Sequence, residues 1–210
     1  MRIIAISDTH SMHRQLTIPE GDVLIFSGDM CGLGLEKEVI DFNNWLGEQP
    51  CKHKIVIAGN HDYPLSVFPI SWNNRLLNNA TYLENSECII DGVKFWGSPI
   101  TPTFLSWWFM ADRGEPIKKY WGMIPKETDV LITHGPAFGI LDTTSPKYSV
   151  EKVGCKDLLN KIEEVKPKVH IFGHIHGGYN MFNHNGTIFI NASSCDEDYQ
   201  PVNKPLVVDL

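Results

Sequence analysis

The stretch Lys54-Ile-Val-Ile-Ala-Gly-Asn-His-Asp62 is a short apolar run that ends abruptly in glycine and polar residues. Runs of four or five β-branched and apolar residues with such an ending are typical of buried strands. Four more runs of this kind occur along the chain: Arg2 to Ile6, Val23 to Phe26, Val130 to Thr133 and Val169 to Phe172. The chain therefore predicts a sheet whose strands end in ligand-type side chains.

Amphipathic stretches lie between these runs and predict helices. Leu35 to Gly47 and Cys155 to Val165 carry apolar residues near a 3.6-residue period, and Pro167 ends the second stretch. Alternating strands and helices favour parallel pairing. Asp91-Gly92 and Asn185-Gly186 each separate two strand-like runs and predict antiparallel hairpins. We therefore expect an α/β protein with mixed sheets.

The composition indicates a folded protein with a substantial core. The chain has 210 residues, of which 42% are hydrophobic, 20% charged and 10% aromatic, so we expect a single domain spanning residues 1–210. No apolar run is long enough for a membrane-spanning helix, and the amino-terminal run is too short for a signal peptide. These features predict a cytoplasmic location and no membrane partner.

Charge and cysteine content argue against several other classes. The net charge of −7 disfavours long nucleic acid as a partner, because such proteins usually present a basic face. The five scattered cysteines form no CxxC pair and predict neither a disulfide framework nor a zinc finger. The sequence does not predict the oligomeric state.

The aromatic segment from Phe104 to Trp121 allows two interpretations. It contains six aromatic residues in an irregular pattern, interrupted by Gly114 and Pro116. One interpretation is one or two short helices that cap a sheet. The other is a wall or lid beside the functional site, with Arg113 reaching towards an anionic ligand.

The strand ends together provide a set of metal-ligand side chains. In open α/β sheets, ligands bind beyond the carboxyl ends of the strands. Five of the nine histidines lie at these ends, together with two aspartates and one asparagine. Seven of these side chains can build a two-metal site: Asp8, His10, Asp29, Asn60, His134, His174 and His176.

Each residue type suits that chemistry. Imidazoles and carboxylates bind first-row dications such as Mn, Fe, Zn or Co, and the single Asp29 between the paired ligands could bridge two ions. Two ions roughly 3.5–4 Å apart clamp a phosphate and turn a bridging water into hydroxide. With seven ligands assigned, His61 is left beside Asn60 to protonate a leaving oxygen or to stabilise its charge.

Other polar residues carry weaker expectations. We assign ordinary core or surface roles to the remaining histidines: His13, His53, His170 and His184. Four polar residues could line the site or serve turns and outer contacts: Asp142, Asn191, Ser193 and Ser194.

These motifs carry a family resemblance. The set of Asp8-x-His10, Gly28-Asp29, Gly59-Asn60-His61-Asp62, His134 and Gly173-His174-Ile175-His176 resembles the calcineurin-like metallophosphoesterase superfamily, over residues 3 to about 192. The chain is most similar to its metallophosphoesterase-domain-containing subgroup, which includes vertebrate brain proteins and bacterial relatives. This finer likeness rests on Lys54 to His61, Gly97-Ser-Pro99, Thr133-His-Gly-Pro136, Val153-Gly-Cys155, Ile190 to Cys195 and Tyr199-Gln-Pro201.

The resemblance implies a fold and a site. The fold is a four-layer sandwich of two mixed β-sheets flanked by helices. One metal is expected on Asp8, His10, Asp29 and His176, and the other on Asp29, Asn60, His134 and His174. His61 is the expected catalytic histidine, with Asn60 and Asp29 beside it. The two ions are expected to be divalent, with Mn preferred over Fe, Zn, Co or Ni.

The chain departs from the family pattern at one position. Many relatives have an acidic residue three positions after the motif aspartate, where it orients the catalytic histidine. This chain has Gly32 there. His61 is therefore expected to be less firmly oriented unless another carboxylate takes over, and Asp62 is its sequence neighbour.

These observations predict a dinuclear metal-dependent phosphohydrolase. The expected substrates are small, nucleotide-like phosphodiesters, cyclic nucleotides among them, attacked by a metal-bridging hydroxide. Two alternatives keep the same site: a phosphomonoesterase, or a nuclease acting on DNA or RNA ends. An alternative of another class is a slow-turnover, nucleotide-binding regulatory protein, which Gly32 alone favours.

Overall fold

Two β-sheets pack face to face in this structure, a computed structural model that describes residues 1–145 and 150–210. The first sheet has five strands in the order β13-β1-β2-β3-β4, all parallel to their neighbours except β13. Its strands are β1 (Arg2–Ile6), β2 (Val23–Ser27), β3 (His53–Ile57), β4 (Thr81–Tyr82) and β13 (Leu206–Asp209).

The second sheet has six strands in the order β11-β12-β10-β9-β6-β5. Its strands are β5 (Ser86–Ile90), β6 (Val93–Ser98), β9 (Val130–Thr133), β10 (Val169–Phe172), β11 (Asn180–His184) and β12 (Thr187–Asn191). Its four central strands are parallel, and antiparallel hairpins close both edges. A separate pair, β7 (Thr101–Pro102) and β8 (Met110–Ala111), is parallel. The predicted mixed sheets are confirmed.

Alternation along the central strands explains why they are apolar on both faces. In β1, Ile3 and Ala5 join the core between the two sheets, where Ile132 and Ile171 of the second sheet also lie. Ile4 lies between these two residues and points to the opposite face, into the core beneath the helices that also contains Phe42. Successive side chains of a strand point to opposite faces, so a strand buried on both sides must be apolar throughout.

Helices cover the outer faces and complete the four layers. The helices are α1 (Glu36–Gly47), α2 (Tyr63–Val67), α3 (Ile70–Leu76), α4 (Glu115–Trp121) and α5 (Lys156–Val165). Helix α1 buries Val39 and Phe42 against the first sheet, while α5 buries Leu158 and Ile162 against the second. Both long helices begin one residue later than predicted, because Leu35 and Cys155 are extended N-cap residues. No helix of the described ranges has the length and apolarity needed to cross a membrane.

The two predicted hairpins are confirmed, and their turns show the reason. Asp91 and Gly92 have φ angles of 49° and 82°, and Asn185 and Gly186 have 52° and 88°. Positive φ at both central residues defines the type I′ turn, whose twist matches that of paired strands.

The aromatic segment combines both of its predicted roles, but Arg113 was assigned wrongly. Helix α4 buries Ile117 and Trp121 in the core of the second sheet, whereas Trp107 lies at the site described below. The Arg113 guanidinium donates to the backbone carbonyls of Val153 and Gly154, at 2.6 and 2.7 Å. It therefore fastens a loop and does not reach an anionic ligand.

Candidate metal centre

The loops that follow β1, β2, β9 and β10 meet at one edge of the sandwich. The backbone N–H of Asp8 donates to the carbonyl of Gly28 at 2.9 Å, which joins the first two loops. Hydrogen bonds between the sheets join the loops after β10 and β9 to this pair. The backbone N–H of His174 donates to both oxygens of Asp8 at 3.0 Å, and Nδ1 of His134 donates to the Ser27 carbonyl at 2.9 Å.

Unusual backbone conformations mark these loops. Asp8, His10, Asp29 and His174 have φ angles of 50°, 42°, 60° and 68°. Such left-handed conformations are uncommon outside glycine and cluster at functional sites. They turn the chain sharply, so that ligand-type side chains follow directly after their strands.

Glycines allow the loops to approach one another closely. A Cβ on Gly173 would collide with the Asp8 carboxylate and the Ser7 side chain, and a Cβ on Gly59 would collide with Asp29. Glycine is therefore needed for steric reasons at these two positions, which directly precede candidate ligands. Such glycines in the sequence indicate that the strand ends approach each other closely.

The structure brings six of the seven predicted metal ligands into close groups. The seventh, Asn60, contacts His134 of one group. Among the residues that the structure describes, three groups have ligand atoms within 4.8 Å of one another: Asp8 with His10 and His176, His10 with Asp29 and His61, and Asp29 with His134 and His174. Two of these groups share no member, and the third connects them through His10 and Asp29.

The protonation of His10 and His176 fits a bound cation. Nδ1 of His10 lies 3.2 Å from the Cys31 carbonyl, and Nδ1 of His176 lies 2.8 Å from the Asp196 carbonyl. Each carbonyl requires a proton on Nδ1, which leaves both Nε2 atoms of the neutral rings as acceptors. These two Nε2 atoms lie 3.2 Å apart. Two lone pairs so close together repel each other unless a metal ion or a proton lies between them. Burial opposes a proton there, but the hydrogen bond and charge of Asp8 raise the pKa of His176.

The same logic applies at His134. Its Nδ1 donates to the Ser27 carbonyl, so Nε2 is the acceptor nitrogen when the ring is neutral. That Nε2 lies 3.0 Å from the Asn60 side-chain oxygen and 3.3 Å from an Asp29 oxygen. Three acceptors that converge on one point form a ligand set for a cation. The residues present therefore fit divalent metal ions, which carboxylate and imidazole ligands suit.

The electrostatics of the buried carboxylates agree with this assignment. Burial opposes the ionisation of Asp29, but the charge and hydrogen bond of His134 outweigh it and hold the pKa of Asp29 below its usual range. Burial is likewise outweighed at Asp8, whose pKa is lowered by the hydrogen bond and charge of His176. Both carboxylates are therefore ionised.

The pKa values of His134 and His174 are shifted in opposite directions by their surroundings. Burial would lower the pKa of His134, but Asp29 raises it to about 9. Burial, followed by the charge of His134, lowers the pKa of His174 to about 3. A proton on His134 and a metal ion are alternative ways to neutralise Asp29, since both occupy the space between Nε2 and the carboxylate.

His61 lies beside these groups and is oriented by backbone and ring contacts. Its Nδ1 lies 3.3 Å from the Gly32 carbonyl, and its backbone N–H donates to Asp29 at 2.8 Å. The ring of Trp107 stacks on the imidazole, with centroids 4.3 Å apart and an interplanar angle of 26°. A main-chain carbonyl thus meets Nδ1 where a carboxylate was expected.

Asp62 does not take the place of the expected acidic residue. Its carboxylate is fully buried and accepts hydrogen bonds from the backbone N–H groups of Asp29, Cys31 and Gly59, at 2.8 to 3.0 Å. Burial and the nearby Asp29 charge raise the pKa of Asp62 to about 6. Asp62 therefore shapes the loops that carry the site.

Two of the four polar residues contact the site or its backbone. Ser193 donates to Asp8 at 3.0 Å, and Asn191 donates to the Ile175 carbonyl at 2.8 Å. Asp142 accepts from the backbone N–H groups of Gly139 and Gly154 and so joins two loop segments. The backbone N–H of Ser194 donates to Ser7 and joins the two sheets.

The site opens into a cavity of about 420 Å³. Its walls include Phe104, Leu105, Trp107, Glu197 and Tyr199. The ring of Tyr199 lies 4.8 Å from that of His10, and Phe104 lies 5.3 Å from His174, both edge to face. The strand-end motifs include neither Glu197 nor Tyr199, which lie in the loop after β12.

Comparisons with known proteins agree with this geometry. The profile of the calcineurin-like phosphoesterase family matches residues 1–178. The human metallophosphoesterase domain-containing protein 1 is 41% identical over 232 aligned positions, which cover 100% of this chain and 71% of the human one.

Solved structures support the fold. A Thermus thermophilus protein superposes with a TM-score of 0.58 at 12% identity, covering 90% of this chain and 88% of the other. A provisionally assigned 5′-nucleotidase from Staphylococcus aureus gives a TM-score of 0.54 at 16% identity, over 90% of this chain and 48% of its own. The chain therefore belongs to the calcineurin-like phosphoesterase family and is a metal-dependent phosphoesterase.

Proposed function

We propose that this protein is a dinuclear phosphodiesterase that acts on small, nucleotide-like phosphoesters, cyclic nucleotides among them. The observation that carries the proposal is the pair of separate ligand groups, Asp8 with His10 and His176, and Asp29 with His134 and His174. Because Asp29 also lies within reach of His10, it can serve both groups. Asn60 completes the second group through its contact with His134.

The chemistry divides between the ions and the chain. Two divalent ions held by these groups would neutralise phosphate charge and lower the pKa of water, and so would supply a nucleophile near neutral pH. His61 is the proton donor for the leaving oxygen in its doubly protonated form: the other ring nitrogen gives up its proton, while Nδ1–H stays on the Gly32 carbonyl. The Asn60 amide group stabilises the charge that develops on the phosphoryl oxygens.

The cavity supports a diester with an organic substituent. Its volume falls in the range of small-ligand pockets, about 300–1,000 Å³. Phe104, Leu105 and Trp107 offer apolar surface to a planar group. Glu197 also lines the cavity. Its negative charge repels a doubly charged phosphomonoester more strongly than a singly charged diester.

Manganese is the proposed metal, with Fe, Zn, Co and Ni as alternatives. The mixed imidazole and carboxylate set suits all of these dications, and availability decides among them. A cytoplasmic location stays a prediction from the sequence.

Hydrolysis of an aryl phosphodiester beside its matched monoester tests the proposal. The protein is stripped with a chelator, supplied with Mn²⁺ and assayed with bis(p-nitrophenyl) phosphate and p-nitrophenyl phosphate. We expect kcat/KM for the diester to exceed that for the monoester by at least about tenfold, or ~1.4 kcal/mol of transition-state binding. The chelated protein is the control and should be inactive.

Two results would contradict the proposal. Preferential hydrolysis of the monoester would overturn the substrate class and keep the metal site. Tight nucleotide binding without turnover, in protein that contains two ions, would favour a binding protein over an enzyme of this specificity.

A further inference from the structure

The loop between β2 and α1 supplies two carbonyl groups that orient histidines of the site. The Cys31 carbonyl lies 3.2 Å from Nδ1 of His10, and the Gly32 carbonyl lies 3.3 Å from Nδ1 of His61. A carbonyl accepts a hydrogen bond but carries no net charge, so it orients a ring only as well as its own peptide group is held. The conformation of this loop therefore decides the orientation of both rings.

One side chain of α1 fastens this loop. The Glu38 carboxylate accepts hydrogen bonds from the backbone N–H groups of Gly32 at 3.2 Å, Leu33 at 3.2 Å and Leu35 at 2.7 Å. It also accepts from the Ser11 hydroxyl at 2.8 Å, next to His10 in the chain. Charge-assisted hydrogen bonds of this kind are stronger than neutral ones. Four groups of the site's loops are thus held by one half-buried carboxylate.

Glu38 also lies beside the position where the family pattern places an acidic residue. A Cβ on Gly32 would lie 3.5 Å from Oε1 of Glu38, which is ordinary van der Waals contact. The carboxylate from α1 therefore already fills the space next to this backbone. It reaches His61 through the Gly32 peptide groups and not directly.

We propose that Glu38 is a positioning residue for His61, which acts by holding the Gly32 carbonyl against Nδ1 of the imidazole. This contact keeps one proton on Nδ1, so that Nε2 is the nitrogen that gains and gives the transferred proton, and a His61 nitrogen lies within 4.8 Å of ligand atoms of His10 and Asp29. The inference rests on the proposed function, because that function makes His61 the proton donor.

The first test reads the tautomer of His61 without any catalysis. Long-range ¹H–¹⁵N NMR spectra of the metal-free protein distinguish Nδ1–H from Nε2–H imidazoles, and a His61→Gln spectrum assigns the signal. We expect the Nδ1–H tautomer in the wild type and a mixture in Glu38→Ala. Glu36→Ala is the matched control, because Glu36 is another acidic residue in the first turn of α1, and it should leave the tautomer unchanged.

The second test separates positioning from general stability by its dependence on the leaving group. At saturating Mn²⁺, Glu38→Ala should lower kcat for a phenyl phosphodiester about 10–100-fold, the usual loss for outer-layer partners of a metal site. The loss should be smaller for the p-nitrophenyl ester, whose leaving group needs less protonation, and KM should stay unchanged. Glu38→Gln should recover part of kcat, since its amide oxygen still accepts hydrogen bonds.

The outcomes separate the two proposals. An unchanged His61 tautomer in Glu38→Ala, or an equal loss of kcat on both esters, would overturn the role of Glu38. If Glu38→Ala fails to fold, Glu38→Gln takes its place in both tests, with an intermediate effect expected. If the wild type hydrolyses neither diester, the proposed function fails, while the tautomer comparison still decides whether Glu38 orients His61.

Discussion

Replacing Asp29 by alanine is expected to abolish hydrolysis of phosphodiesters. Its carboxylate is buried, lies 3.3 Å from Nε2 of His134, and belongs to both the group with His10 and the group with His174. Removing one side chain therefore weakens both metal sites at once. The loss should exceed the roughly 10²–10³-fold that accompanies removal of a single oxyanion-stabilising donor.

The measurement is kcat/KM for bis(p-nitrophenyl) phosphate together with the Mn²⁺ content of the purified variant. We expect less than two ions per chain and no rate above background. Asp112→Ala, which removes a carboxylate exposed on the surface, is the control and should keep both metal content and rate. Wild-type hydrolysis by Asp29→Ala would rule out a shared metal ligand at this position.

Replacing His61 by glutamine is expected to give the second largest loss. A positioned proton donor contributes typically about 10²–10⁴-fold to rate. The loss should appear in kcat, since His61 stands outside the two separate ligand groups and both ions should remain bound. It should also grow as the leaving group becomes poorer, because a more basic oxygen depends more on protonation.

Three aryl diesters with leaving groups of increasing pKa provide this measurement, with metal content determined in parallel. His184→Gln serves as the control, because His184 is exposed at the end of β11. A loss of the same size on all three esters would assign His61 a role other than proton donation. Loss of a metal ion from His61→Gln would make it a ligand instead.

The fold was predictable because its main signals are local in the sequence. Most central strands are short runs rich in β-branched residues, and the hairpin at Asn185-Gly186 has the turn residues that its positive φ angles require. Parallel strands of a sheet place their carboxyl ends at the same edge, which brings the loop of Asp8 beside that of Asp29. Asp8 also meets His174, 166 positions away, because the two sheets pack with these edges together.

The contacts that orient the site were not predictable, because they involve main-chain atoms. The Gly32 carbonyl meets His61 because the loop after β2 turns sharply at Asp29 and Glu38 of α1 then fastens it. A sequence pattern shows which side chains are present but not where a carbonyl points. The absence of an acidic residue at position 32 predicts a less firmly oriented His61, because the sequence does not show that the Gly32 carbonyl meets the ring.

Arg113 shows a related error. An arginine beside a presumed site suggests an anion ligand, but the guanidinium is equally suited to backbone carbonyls. Here the guanidinium donates to the carbonyls of Val153 and Gly154. They lie within its reach because α4, which follows Arg113, packs against α5, which follows Gly154. Tyr199, in contrast, contacts His176 and also His10, which lies almost the full length of the chain away, and no local pattern indicates these contacts.

The stoichiometry of Mn²⁺ binding decides whether the site is a dinuclear centre. Chelator-stripped protein is titrated with Mn²⁺, and bound metal and diester hydrolysis are measured on the same samples. A dinuclear centre predicts two ions per chain, with activity that rises as the second ion binds and disappears with chelator. Full activity with one ion per chain, or activity that persists in excess chelator, would contradict it.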